Sequence, residues 1–149
     1  MIGKYPYDDI NQVMSLIRDQ IIDSLKYASY NCPKFRTPEN LYKWLKRRVT
    51  YIKDPVGIEL LQTMQTLFDS NRHGIPGAGD CDCFTITAIA CMKVQGWSRC
   101  RIYLAGRTRK VPVHIYAGVK FKGKELIFDL TNDKINEERK YPYRQKLIL

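Results

Sequence analysis

Between positions 8 and 27 the apolar residues Ile10, Val13, Met14, Ile17, Ile21 and Leu25 recur every three or four places, the spacing of one buried stripe on a helix. Asn31-Cys32-Pro33 breaks the pattern. Thr37-Pro38 then supplies an N-cap followed by proline at the first helical position, where a missing N–H costs nothing. Leu41, Trp44, Leu45 and Val49 form the inner face of that second helix. After a turn at Asp54-Pro55-Val56-Gly57, the residues Ile58, Leu61, Met64, Leu67 and Phe68 keep helical spacing up to Asp69-Ser70-Asn71, which predicts a third. Gly74-Ile75-Pro76-Gly77-Ala78-Gly79 is a loop whose glycines permit backbone angles and close approaches denied to other residues. Phe84, Ala88, Ile89 and Met92 give a fourth stripe, on a core helix that begins at Cys81 and ends near a left-handed cap at Gly96.

Past Gly96 the period changes. Arg101 to Arg107, Val111 to Phe121 and Glu125 to Leu130 are rich in β-branched and aromatic residues with glycines near their ends, and read as antiparallel strands. Arg144 to Leu149 adds a final edge strand, and the charged stretch from Lys134 to Lys140 reads as surface helix or loop. Helices first and strands second define an α+β class, with a helical part over about 8–97 and a β part over about 101–149. No repeat or composition break interrupts the 149 residues, so a single domain, 1–149, is expected.

Composition narrows the setting. Hydrophobic residues at 44% and charged residues at 27% suit a folded chain rather than a disordered one. The start, Met1-Ile2-Gly3-Lys4-Tyr5-Pro6, lacks the apolar core of a secretory signal, and no later run approaches the ~20 apolar residues of a transmembrane segment. Five cysteines, Cys32, Cys81, Cys83, Cys91 and Cys100, form an odd set scattered through predicted helix and strand. They are expected as reduced thiols, and the location as cytoplasmic. The net charge is +10, and the segment from Arg99 to Lys124 holds eight Lys or Arg and no acid. That stretch suggests either a solvated basic face or one that attracts a polyanion such as nucleic acid. Ten tyrosines, Tyr141 and Tyr143 among them, would stack on bases or close the rim of a core.

The chemistry concentrates at Gly79-Asp80-Cys81-Asp82. A thiol with an ordinary pKa near ~8.5 is mostly protonated at neutral pH, and the unpaired N–H groups at a helix start favour its anion. Carboxylates aimed at the sulfur would oppose this, so Asp80 and Asp82 are assigned to capping the helix and holding the loop, Asp80 as the N-cap. In the strand to Phe121, Val113, Ile115, Ala117 and Val119 alternate with His114, Tyr116 and Gly118, which puts the histidine on the face opposite the apolar row, presented rather than packed. If Lys122-Gly123 forms a two-residue hairpin turn, Phe121 opposes Lys124 and Tyr116 opposes Asp129. Asp129 then shares the face of His114 as a diagonal neighbour, able to orient the imidazole. Cys81 as nucleophile, His114 as base and Asp129 as orienting acid compose a triad without metal or cofactor. Rival readings are a structural thiol at Cys81, a turn cap shared by Asp129 and Thr131, and Asp133 or Asp54 as the acid. Zinc binding by Cys81, Cys83, Cys91, Cys100, His73 and His114 is disfavoured because structural sites pair ligands on turns. A Cys81–Cys83 disulfide is geometrically poor.

These residues resemble the transglutaminase-like group of the papain-like cysteine enzymes, in its small bacterial and phage members. The matching elements are Gly79-Asp80-Cys81-Asp82 opening an apolar helix, the strand histidine in Val113-His114-Ile115-Tyr116, and the aspartate in Ile127-Phe128-Asp129-Leu130-Thr131 across the Gly123 hairpin. The likeness runs from about Asp54 to Asn132 and departs from many relatives at Cys83, where they carry an acid, and at Thr85, where they carry alanine. It implies a cysteine hydrolase or acyltransferase acting on a peptide or isopeptide bond through a thioester. It equally admits a catalytically degenerate member serving as a phage virion or assembly component, with contacts to nucleic acid or a virion protein, in a host cytoplasm or a virion. Gly79, Asp80, Asp82 and Tyr116 are its expected loop-support or substrate-binding residues.

Overall fold

The computed structural model describes residues 2–6, 10–53, 58–71, 73–108 and 112–149. The predicted turn at 54–57, the helix start at Asp8 and the strand residue Val111 lie outside them. Helix α1 (Ile10–Asn31) buries Val13, Met14, Ile17 and Ile21 as its stripe requires. Helix α2 (Pro38–Lys46) starts from Thr37, whose side chain accepts from the Asn40 N–H, and places Leu41 and Leu45 in the core. Helix α4 (Cys81–Val94) is apolar almost all round and is buried from Asp82 to Met92. It lies between α1 and the main sheet, where each fully buried aliphatic side chain contributes about 1.5–3 kcal/mol.

The main sheet contains β5 (Cys100–Gly106), β6 (Pro112–Phe121), β7 (Lys124–Phe128) and β8 (Tyr143–Ile148), in the order β7-β6-β5-β8, all antiparallel. Phe121 pairs with Lys124, and both turn residues, Lys122 and Gly123, have positive φ, so the two-residue hairpin forms as its sequence indicates. Alternation along the strands divides the sheet into two faces. Ile115, Ala117, Val119 and Phe128 pack with α4, while Tyr103, Ala105, Tyr116 and Ile127 form a second cluster closed by Tyr141. The stretch from Lys134 to Lys140 is loop.

One expected helix is mostly absent. Residues Ile58–Gln62 form strand β3, paired antiparallel with β1 (Ile2–Pro6), and only Met64–Asp69 is helical, as α3. An apolar run this short satisfies either period, and a pairing partner more than fifty residues away decided the outcome. Thr63 is the true N-cap, accepting from the Thr66 N–H. Two short strands, β2 (Thr50–Tyr51) and β4 (Ala78–Gly79), pair in parallel and align Tyr51 with Gly79.

Of the cations between Arg99 and Lys124, Arg101 is withdrawn from solvent. Arg101 is 4% exposed, donates to the Arg99 carbonyl and lies 3.7 Å from Glu125. Because Cys100 pairs with Val119, Arg99 falls at the Lys120 end of the ladder, and Arg107 falls at the other end. Arg109 and Lys110 are outside the described residues.

Candidate active site

The loop before α4 is shaped by what it must touch. Gly77 has φ +82°, and a Cβ there would lie 1.8 Å from the Arg48 carbonyl oxygen. A Cβ on Gly79 would meet the Cys83 Cβ at 2.9 Å and a Leu67 methyl at 3.1 Å, so the helix start can sit against this strand only if residue 79 has no side chain. Gln62 donates inward from Nε2, to the Ala78 carbonyl at 3.3 Å and the Cys83 sulfur at 3.6 Å, which ties β3 to the same loop. Gln65 is exposed on α3.

Asp80 caps α4, with its Oδ1 accepting from the Asp82 N–H at 3.2 Å. Cys81 is the first helical residue and is partly exposed, whereas Cys32, Cys83, Cys91 and Cys100 are buried. Asp82 departs from its expected role. Its Oδ1 lies 3.9 Å from the Cys81 sulfur, and among the described residues its buried Oδ2 has no hydrogen-bond partner. Asp80 is the residue that caps, and Asp82 turns beside its neighbour. Its negative charge works against an anion on sulfur, while the helix terminus works for one.

His114 lies on the face opposite Ile115, as the alternation requires, but it is 7% exposed and so more enclosed than expected. Its ring stacks on Tyr116 with centroids 5.2 Å apart and approaches Tyr141 at 6.1 Å. Tyr116 stacks in turn on Tyr103 at 5.0 Å, and its hydroxyl bonds to Glu138, which also pairs with Arg144. Burial, reinforced by Glu138, pushes the Tyr116 hydroxyl pKa up, so it stays protonated and donates. His114 Nε2 is 2.6 Å from Asp129 Oδ2. The Asp129 carboxylate does two jobs, since its Oδ1 accepts from the N–H and hydroxyl of Thr131 at 3.0 and 2.7 Å. The turn-cap reading and the imidazole-partner reading therefore describe the same residue. Burial would raise its pKa, but the bonds from His114 and Thr131 outweigh that and hold it below the usual carboxylate range. Asp133 is exposed.

The sulfur-bearing turn and the histidine strand meet through Thr85, whose hydroxyl is 2.7 Å from the Cys81 carbonyl and 3.4 Å from that of Ile115. Thr85 is thus one of the residues whose part the sequence did not disclose. A cleft of about 260 Å³ opens between Tyr51, His114, Thr131 and Arg139. Of the lining residues, Tyr51 aligns with Gly79 in the strand that leads to Cys81 and packs edge-on against Phe84, and His114 brings its bond to Asp129. With Nε2–H directed at Asp129, Nδ1 is the imidazole nitrogen left for proton transfer. Among the described residues no three His, Cys, Asp or Glu side chains gather as a metal site, and no helix is long and apolar enough to cross a membrane.

No protein-family profile and no curated protein sequence matches the chain. Its fold does have counterparts. The crystal structure of "a Putative Cysteine Protease" from Cytophaga hutchinsonii superposes with a TM-score of 0.50 at 13% identity, over 99% of this chain and 58% of the other. A second solved structure, of a TGase, gives 0.42 at 12% identity over 89% of this chain and 36% of that one. The chain thus spans little more than half the length of the first. The architecture is α+β, a helical lobe, with its core helix starting at Cys81, packed on an antiparallel four-stranded sheet, and it shares its overall fold with the first of these structures.

Proposed function

We propose that the protein is a cysteine hydrolase or acyltransferase acting on a peptide or isopeptide bond, of the small bacterial or phage transglutaminase-like type. The observation that carries this reading is the buried His114–Asp129 hydrogen bond on a strand that Thr85 ties to the Cys81 helix start. His114 takes the thiol proton at Nδ1, and the Cys81 thiolate attacks the carbonyl carbon of the substrate amide. The tetrahedral oxyanion is met by the Cys81 N–H at the helix terminus. Nδ1 returns the proton to the leaving amine as the C–N bond breaks, which leaves a thioester. Water or a second amine then adds to that thioester, giving its proton to His114 and releasing the thiol. Asp129 keeps the ring in the tautomer this cycle needs, and Tyr116 keeps it in place. A peptide or protein is the substrate, and the setting is the cytoplasm.

A second reading, a degenerate fold serving in assembly or as part of a phage virion, draws support from Asp82 beside the sulfur. Iodoacetamide labelling near pH 6 separates the two. An active site alkylates Cys81 far faster than Cys32, Cys91 or Cys100, and His114→Ala removes the excess. Equal, slow labelling of all thiols would favour the assembly reading.

A further inference from the structure

Arg139 stands at the mouth of the cleft beside His114, and its surroundings hold it there. Its Nε donates to Asn132 Oδ1 at 3.2 Å, and a terminal nitrogen reaches the Thr131 carbonyl at 3.5 Å. Asn132 is itself fixed, donating to the Glu137 carbonyl at 2.9 Å and approaching Asp129 Oδ2 at 3.4 Å. The guanidinium is thus oriented by the same turn that holds the Asp129 carboxylate. The two oxygens it meets, of Asn132 and Thr131, are neutral, and it makes no ion pair among the described residues, whereas the nearby Arg144 is neutralised by Glu138. Arg139 also lines a second cleft of about 400 Å³ with Tyr116, Glu138, Tyr141 and Arg144, where Glu138 is taken up by Arg144 and the Tyr116 hydroxyl. A planar cation with donors to spare, oriented but unneutralised, matches a carboxylate better than any neutral group.

We infer that Arg139 is a specificity residue that binds a carboxylate of the substrate next to the bond attacked by Cys81. The inference deepens the proposed function and rests on it. Two sources present this group, a chain-terminal carboxylate and an acidic side chain, and the chemistry at Arg139 is the same for both.

Alkylation of Cys81, followed by peptide mapping, tests it with probes of defined charge. In the wild-type protein iodoacetate should react faster than iodoacetamide, and Arg139→Gln should lower the iodoacetate-to-iodoacetamide rate ratio about five- to tenfold, with Arg139→Lys in between. The distant surface variant Arg18→Gln should leave the ratio unchanged. Bromoacetyl-glycine and bromoacetyl-glutamate α-amide, each compared with its neutral amide, present the terminal and side-chain carboxylates. An Arg139-dependent preference for either supports the inference and names the source. If Arg139→Gln slows charged and neutral probes equally, Arg139 only braces Asn132 and the inference is overturned while the proposed chemistry stands. If Cys81 shows no excess reactivity toward any probe, both fall together.

Discussion

The Nε2 of His114 lies 2.6 Å from Oδ2 of Asp129, across two strands joined by a tight hairpin, and both side chains are almost wholly shielded from water. Continuing the register one step past Ala117 and Phe128 sets Asp129 opposite Tyr116, so the carboxylate reaches the imidazole diagonally along the same face. A hairpin one residue longer would have turned it to the other side of the sheet.

Asp129→Asn tests what that pair contributes. With the Asp129 pKa lowered in the folded chain, its stabilisation is complete above the ordinary carboxylate value of ~3.9 and is lost as pH falls through the lower folded value. At pH 7 the variant should be less stable by about 2 kcal/mol, and the gap should narrow below about pH 4. Urea unfolding at pH 7 and pH 3 measures both. Cys81 alkylation near pH 6 should fall about tenfold or more, because an amide no longer holds the imidazole in the required tautomer.

Asp82 offers the opposite experiment. Removing its charge at 3.9 Å from the sulfur in Asp82→Asn should speed Cys81 alkylation near pH 6 several-fold, roughly threefold to tenfold for one partly screened charge at that distance. A rate unchanged or lower would show that the carboxylate does not weigh on the thiol.

Gly79→Ala addresses the loop. Its methyl would stand 2.9 Å from the Cys83 Cβ, so the helix start or the strand must shift, at a cost of about 1–3 kcal/mol. A lowered Tm together with slower Cys81 labelling is the expected result. Gly96→Ala, at φ +84° but with nothing near its Cβ, should destabilise less and leave the labelling unchanged.

Much of the frame was legible in the chain itself. The stripe of α1, the Thr37 cap of α2, the Asp80 cap before Cys81, the Lys122-Gly123 turn and the alternation in β6 all arise from neighbours within a few positions, and each appears in the structure. The helix expected from Ile58 fails because its first five residues pair with β1, a long-range event that leaves no local periodic trace. That Asp82 Oδ1 lies beside the Cys81 sulfur is not legible locally, because spacing shows that a carboxylate is near a helix start but not which way it points.

By its own short-range pattern the sequence determined helices α1, α2 and α4 and the strands of the main sheet, where the core helix begins, and that a histidine and an aspartate lie on one sheet face. Only the tertiary structure decided that Thr85 bridges the Cys81 turn to Ile115, that Tyr51 lines one cleft with His114, and that Arg139 is held at that cleft by Asn132. The physical reason is range. Caps, turns and periodicity are interactions along the chain, whereas those three contacts join segments that become neighbours only when the sheet and helices pack.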